Sequence, residues 1–157
     1  MNSEQLTEIL KAAFPDAEVA VSKMFQARTV KKNYIALVQG KLPDTGRIEV
    51  PLITDWENRP HQIVHFELGK QALTLYEHLE YDEAKDVSRV FLTPITGRSH
   101  QLRVHLQYIG HPITGDKLYH PQPTRSPLGR MALHASYLAF TQPLSGVELE
   151  IVCEAAF

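Results

Sequence analysis

The sequence predicts an α+β fold in which a largely antiparallel or mixed β-sheet carries packed helices. Strand-like segments come in runs rather than alternating regularly with helical ones, and helical periodicity is confined to the start of the chain and the stretch after Gly97. No segment repeats and no linker interrupts the pattern. At 157 residues the chain has the length of one domain, 1–157, enough to bury most of the surface that it exposes when unfolded.

Ser3 is placed to cap a first short helix through Leu6, Ile9, Leu10 and Ala13, which Pro15-Asp16 interrupts. A second helical pattern runs from Ala17 to about Arg28 on Val19, Val21, Met24 and Phe25. Tyr34 to Val38 reads as a buried strand and Gly40 to Gly46 as the loop after it. Gln62 to Leu68, Leu73 to Tyr81 and Val87 to Thr93 are β-rich and expected to be antiparallel neighbours, with Leu73, Leu75 and Leu79 in period-two alternation. Residues 82 to 86 form a charged hairpin loop, and Pro94 closes the last of these strands. A helix capped by Ser99 follows, with Leu102, His105, Leu106 and Ile109 on one face and Gly110 and Pro112 at its end; Arg103 falls near the edge of that face. Beyond a Pro-rich loop from Pro121 to Pro127, Leu133 to Thr141 and Val147 to Cys153 form a hairpin around Pro143-Leu144-Ser145-Gly146.

Composition is that of an ordinary globular protein, 43% hydrophobic and 22% charged, which argues against a disordered or fibrous chain. No apolar run approaches the roughly 20 residues of a membrane helix, and the chain start lacks a basic region followed by an apolar one; a cytoplasmic protein without membrane contact is expected. The single Cys153 reads as a small core residue and offers neither a disulfide nor a zinc pattern. A net charge of −2 does not advertise nucleic-acid binding, but the acids gather between Glu77 and Asp86 while the arginines and lysines are spread elsewhere, so a basic patch remains open.

The densest chemistry lies in Thr96-Gly97-Arg98-Ser99-His100-Gln101-Leu102-Arg103-Val104-His105-Leu106 and continues through Gly110-His111-Pro112-Ile113-Thr114-Gly115-Asp116-Lys117-Leu118-Tyr119. Two arginines, three histidines and an amide surround one helix start, a set of donors suited to phosphates and base edges. With Lys31-Lys32-Asn33-Tyr34, Asp55-Trp56-Glu57-Asn58-Arg59-Pro60 and Leu133-His134-Ala135, these motifs occur in an order that closely resembles the RluA-type pseudouridine synthases, from about Ala17 to the C-terminus and leaving residues 1–16 outside. The fold is then expected to be that of a truncated pseudouridine synthase catalytic domain.

The resemblance implies a cofactor-free isomerisation of uridine to pseudouridine in ribosomal or transfer RNA. A base flipped from its stack meets a carboxylate at the sugar. By motif position, Arg103 resembles the partner of that carboxylate and Tyr34 the ring that stacks on the base. Lys31, Lys32, Arg59, Arg98 and His100 are expected to contact RNA. The family's nucleophilic aspartate lies in an Arg-Leu-Asp-x-x-Thr-Ser-Gly segment upstream of the tyrosine strand, and no Arg-Leu-Asp occurs in this sequence. The chain as given is therefore expected to be inactive or nearly so, and an unpaired strand edge left by the missing segment would favour a homodimer. The alternative is a non-catalytic RNA-binding or assembly protein. His100, His105 and His111 are not read as metal ligands, since no carboxylate accompanies them at ligand spacing. His134 reads as structural.

Overall fold

The computed structural model describes residues 31–123, 126–141, 147–155 and 157. Both expected N-terminal helices and the turn at 143–146 lie outside the described residues. The elements are β1 (Lys31–Gln39), β2 (Thr45–Glu49), β3 (Leu52–Thr54), a 3-10 turn (Trp56–Asn58), β4 (Gln62–Val64), β5 (Leu73–Asp82), β6 (Val87–Pro94), α1 (Gln101–Tyr108), β7 (Leu133–Thr141) and β8 (Glu148–Val152). Among the described residues no helix is long and apolar enough to cross a membrane. Two compact units emerge, one of Ile35–Leu133 and one that includes residues 31–34 and the described residues from His134 onward.

In the Ile35–Leu133 unit the strand order is β2-β5-β6-β1. Strands β5 and β6 are antiparallel, Tyr76 opposite Leu92 and His78 opposite Val90, and β2 pairs antiparallel with the other edge of β5. Val38, Val90 and Leu92 are fully buried, and α1 buries Leu102, Val104, His105 and Leu106. In the other unit the order is β1-β7-β8, with β7 and β8 antiparallel.

Four features depart from the sequence reading. First, the alternation of Leu73, Leu75 and Leu79 marks the wrong face: Thr74 is fully buried, while Leu75 and Leu79 are exposed. Leu79 is moreover the extra residue of a β-bulge between His78 and Glu80, which breaks the period of two. Second, the segment 62–68 does not neighbour β5. Only Gln62–Val64 is strand, paired with β3 in a separate two-stranded sheet, and the chain then turns where Gly69 N–H donates to His65 O. Third, the loop after Gly40 ends one residue before Thr45, because Gly46 is a strand residue covered by the Tyr76 ring across the ladder. Fourth, Cys153 is only half-buried; its backbone N–H donates to Ser136 O, which fixes it as an outer strand-end position.

Candidate active site

Helix α1 is held at both ends by local chemistry. Ser99 is not its cap. His100 occupies that position in the left-handed region (φ +54°), and no side chain caps the helix there. The buried Gln101 amide secures the turn instead: its Oε1 accepts from Arg98 N–H and Thr96 Oγ1, and its Nε2 donates to Leu73 O and Thr74 Oγ1. All four of its hydrogen-bonding positions are used, which is what permits an amide to be 4% exposed. At the other end Gly110 N–H donates to Gln107 O and His111 N–H to Leu106 O, a Schellman closure whose left-handed residue is Gly110 (φ +87°).

One turn into the helix, His105 is fully buried. Its Nε2 faces Val50 O at 3.0 Å, and a carbonyl can only accept, so Nε2 carries the proton and Nδ1 accepts from Thr74 Oγ1 at 2.8 Å. This relay explains why threonine, not leucine, occupies the inner face of β5. Burial pushes the His105 imidazolium down from its ordinary range, and burial also lowers His100 and His120. All three favour the neutral ring when folded, whereas the unfolded chain takes up protons below about pH 6.5. Stability is therefore expected to be fully present above that pH and to fall as pH drops through 6 toward 5. Thermal melts at pH 7.5 and 5 check this, with a lower Tm at pH 5 expected.

Arg103, on the same helix, points at a turn built for it. Gly115 adopts φ +78°, and a Cβ there would lie 2.2 Å from Arg130 O, so only glycine lets the chain pass. The next residue, Asp116, is fully buried. Arg103 Nε and Nη2 donate to its two carboxylate oxygens at 2.9 and 2.7 Å, and Oδ1 also accepts from Leu118 N–H and Tyr119 N–H. The guanidinium lies over the Tyr119 ring, 5.1 Å from its centroid. Asp116 holds the Arg103 cation charged beyond the already high arginine range. One edge of the fork is thus fixed on Asp116, and Nη1 remains beyond it.

Tyr119 joins several elements. His61 and His100 meet its ring edge-on at 5.5 and 5.6 Å. Its hydroxyl accepts from Gln62 N–H and contacts His100 Nδ1 at 2.7 Å. Burial, then the Arg103 charge, depress the His100 pKa, and burial raises that of Tyr119, so a neutral imidazole and a protonated phenol share this hydrogen bond. The cluster of Arg103, Asp116, Tyr119, His100 and His61 offers a fixed cation, an oriented imidazole edge and an aromatic wall.

Of the residues expected at a site, Arg103 and His100 meet in this cluster. Arg98 starts the same motif but turns Nε to Gln71 O. Arg59 lies in the β3–β4 connection, over the Trp56 ring. Lys31, Lys32 and Tyr34 stand at the beginning of β1, in the other unit. Burial raises the Tyr34 hydroxyl pKa and lowers that of the Lys32 ammonium. His134 Nε2 bonds Cys153 O. Among the described residues no three His, Cys, Asp or Glu side chains converge as a metal site would require. Sequence reading missed His61, which carries no local signal, and gave no role to Asp116 and Tyr119, although both stand in the motif that it singled out.

The RNA pseudouridylate synthase family profile matches residues 9–108. The dual-specificity RNA pseudouridine synthase RluA of Pasteurella multocida is 48% identical over 150 residues, covering 95% of this chain and 68% of that protein. RluA of Escherichia coli K12 is 45% identical over 150 residues with the same coverage. Among solved structures, human RNA pseudouridylate synthase domain containing 1 superposes with a TM-score of 0.76 at 29% identity, covering 97% of this chain and 74% of that one. Human RNA pseudouridylate synthase domain containing 4 gives 0.65 at 26% identity, with coverages of 88% and 63%. The motif order and the fold agree with these likenesses: the chain belongs to the RNA pseudouridylate synthase family.

Proposed function

We propose that this chain carries the RNA-holding and arginine-bearing part of an enzyme that isomerises uridine to pseudouridine in a structured ribosomal or transfer RNA. The catalytic carboxylate comes from an Arg-Leu-Asp segment that the 157 residues do not contain. The observation that supports this most is Arg103 itself. Its Nε edge is fixed on a buried aspartate and its face on an aromatic ring, and among the described residues its remaining nitrogen carries no hydrogen bond and can meet a second carboxylate. A cation already paired and stacked loses little freedom on meeting such a group, and it would keep that carboxylate ionised and aimed at the sugar. Tyr34 stacks on the flipped base. Lys31, Lys32, Arg59, Arg98 and His100 contact the RNA, His100 as a neutral imidazole.

Alone, the chain binds RNA without turning it over. A ribosomal stem-loop should bind with a log K that falls linearly with log salt, with a slope of about −2 to −3 for three phosphate contacts from Lys31, Lys32 and Arg98. Filter binding from 50 to 300 mM salt measures it, and binding absent at low salt, or insensitive to salt, would contradict the reading.

A further inference from the structure

Trp56, the chain's one tryptophan, is 66% exposed, so most of its surface lies in water. It sits on a 3-10 turn that is closed by its own hydrogen bonds. Asp55 N–H donates to His61 O, Asn58 N–H to Asp55 O, His61 N–H to Asn58 O, and the Asn58 amide to the Asp55 carboxylate. The Arg59 guanidinium lies 5.4 Å from the centre of the indole. A large aromatic surface is thus held in water on a preorganised turn with a planar cation beside it. The same connection leads directly to His61, whose ring touches Tyr119 beside Arg103, so the turn is joined to the candidate active site through one side chain.

We infer that Trp56 and Arg59 form a stacking platform for an unpaired nucleobase of the RNA, next to the nucleotide that reaches Arg103. The charges favour a base over a phosphate. Asp55 and Glu57 share the turn with Arg59, so there is no basic excess to attract the backbone; a π face and a guanidinium plane remain, and both accept any base that is not already stacked. Because the turn is ordered before binding, little conformational freedom is lost on docking. The inference rests on the RNA-binding reading above and assigns a ligand class to a part of it.

The test uses the whole chain, with Trp56 as its own reporter. A 10-nucleotide unstructured RNA, 3′-labelled for anisotropy, is titrated at low salt while Trp56 emission is followed. Expected are quenching that saturates with the anisotropy, no quenching by a blunt RNA duplex of the same length, and about tenfold weaker single-strand binding by Trp56→Ala, with most of the affinity retained in Trp56→Phe. Single-strand binding with unchanged Trp56 emission, or unchanged affinity in Trp56→Ala, overturns the platform and leaves the RNA-binding reading standing. No binding to either RNA overturns the platform, and if the ribosomal stem-loop also fails to bind at low salt the RNA-binding reading falls with it. Emission that shifts with protein concentration and without RNA means that Trp56 docks against a second copy, and this also overturns it.

Discussion

Asp116→Asn is expected to destabilise the chain by about 3 kcal/mol, the low end for breaking a buried ion pair by removing one partner. The low end applies because the Arg103 side chain keeps some water, 19% of its surface, while Asp116 has none. An asparagine can still accept from Leu118 N–H and Tyr119 N–H through Oδ1, but its amide then turns a donor toward Arg103 Nε–H. Urea titration of both proteins reads the difference. The contrast is with Arg47–Glu49, which is as short, at 2.6 Å, yet 62% exposed on both sides. Breaking it should cost under about 1 kcal/mol, because solvent already screens both charges. A loss of less than about 1 kcal/mol in Asp116→Asn would mean that Asp116 does not anchor the cation.

Arg103→Lys in a chain to which the Arg-Leu-Asp segment has been restored is expected to lower the conversion rate at saturating RNA by about 10²–10³-fold, comparable to removing one preorganised electrostatic group. Lysine keeps the charge. It cannot, however, place two parallel N–H groups on Asp116 and a third toward a second carboxylate, nor lie flat over Tyr119. Because RNA contacts elsewhere are untouched, the half-saturating RNA concentration should stay within a few-fold of the parent. An unchanged rate would show that charge alone suffices and that the bidentate geometry is incidental.

The sequence made α1, the β5–β6 hairpin and the β7–β8 pair legible because their signals are local. Gly110 closes the helix, Asp82 to Asp86 make a charged turn, and Pro94 ends a strand. What it hid depends on partners far along the chain. Thr74 looks like a polar interruption between leucines until Gln101 and His105 are seen to need its hydroxyl. Gly46 looks like a loop residue until Tyr76 covers it, and Gln62 to Leu68 looks like one long strand until β3 claims only its first three residues. The site divides in the same way. Arg103 and His100 stand in one readable motif, whereas Tyr119 gains its role only from His61, His100 and Arg103 arriving from separate segments.

The most direct measurement is conversion of a uridine-labelled ribosomal stem-loop by the 157-residue chain and by the same chain with an Arg-Leu-Asp-containing segment restored ahead of it. Pseudouridine formed only by the restored protein, at a rate that Arg103→Lys suppresses, is the predicted result. Conversion by the 157-residue chain alone would mean that a carboxylate within it does the work and would contradict the account.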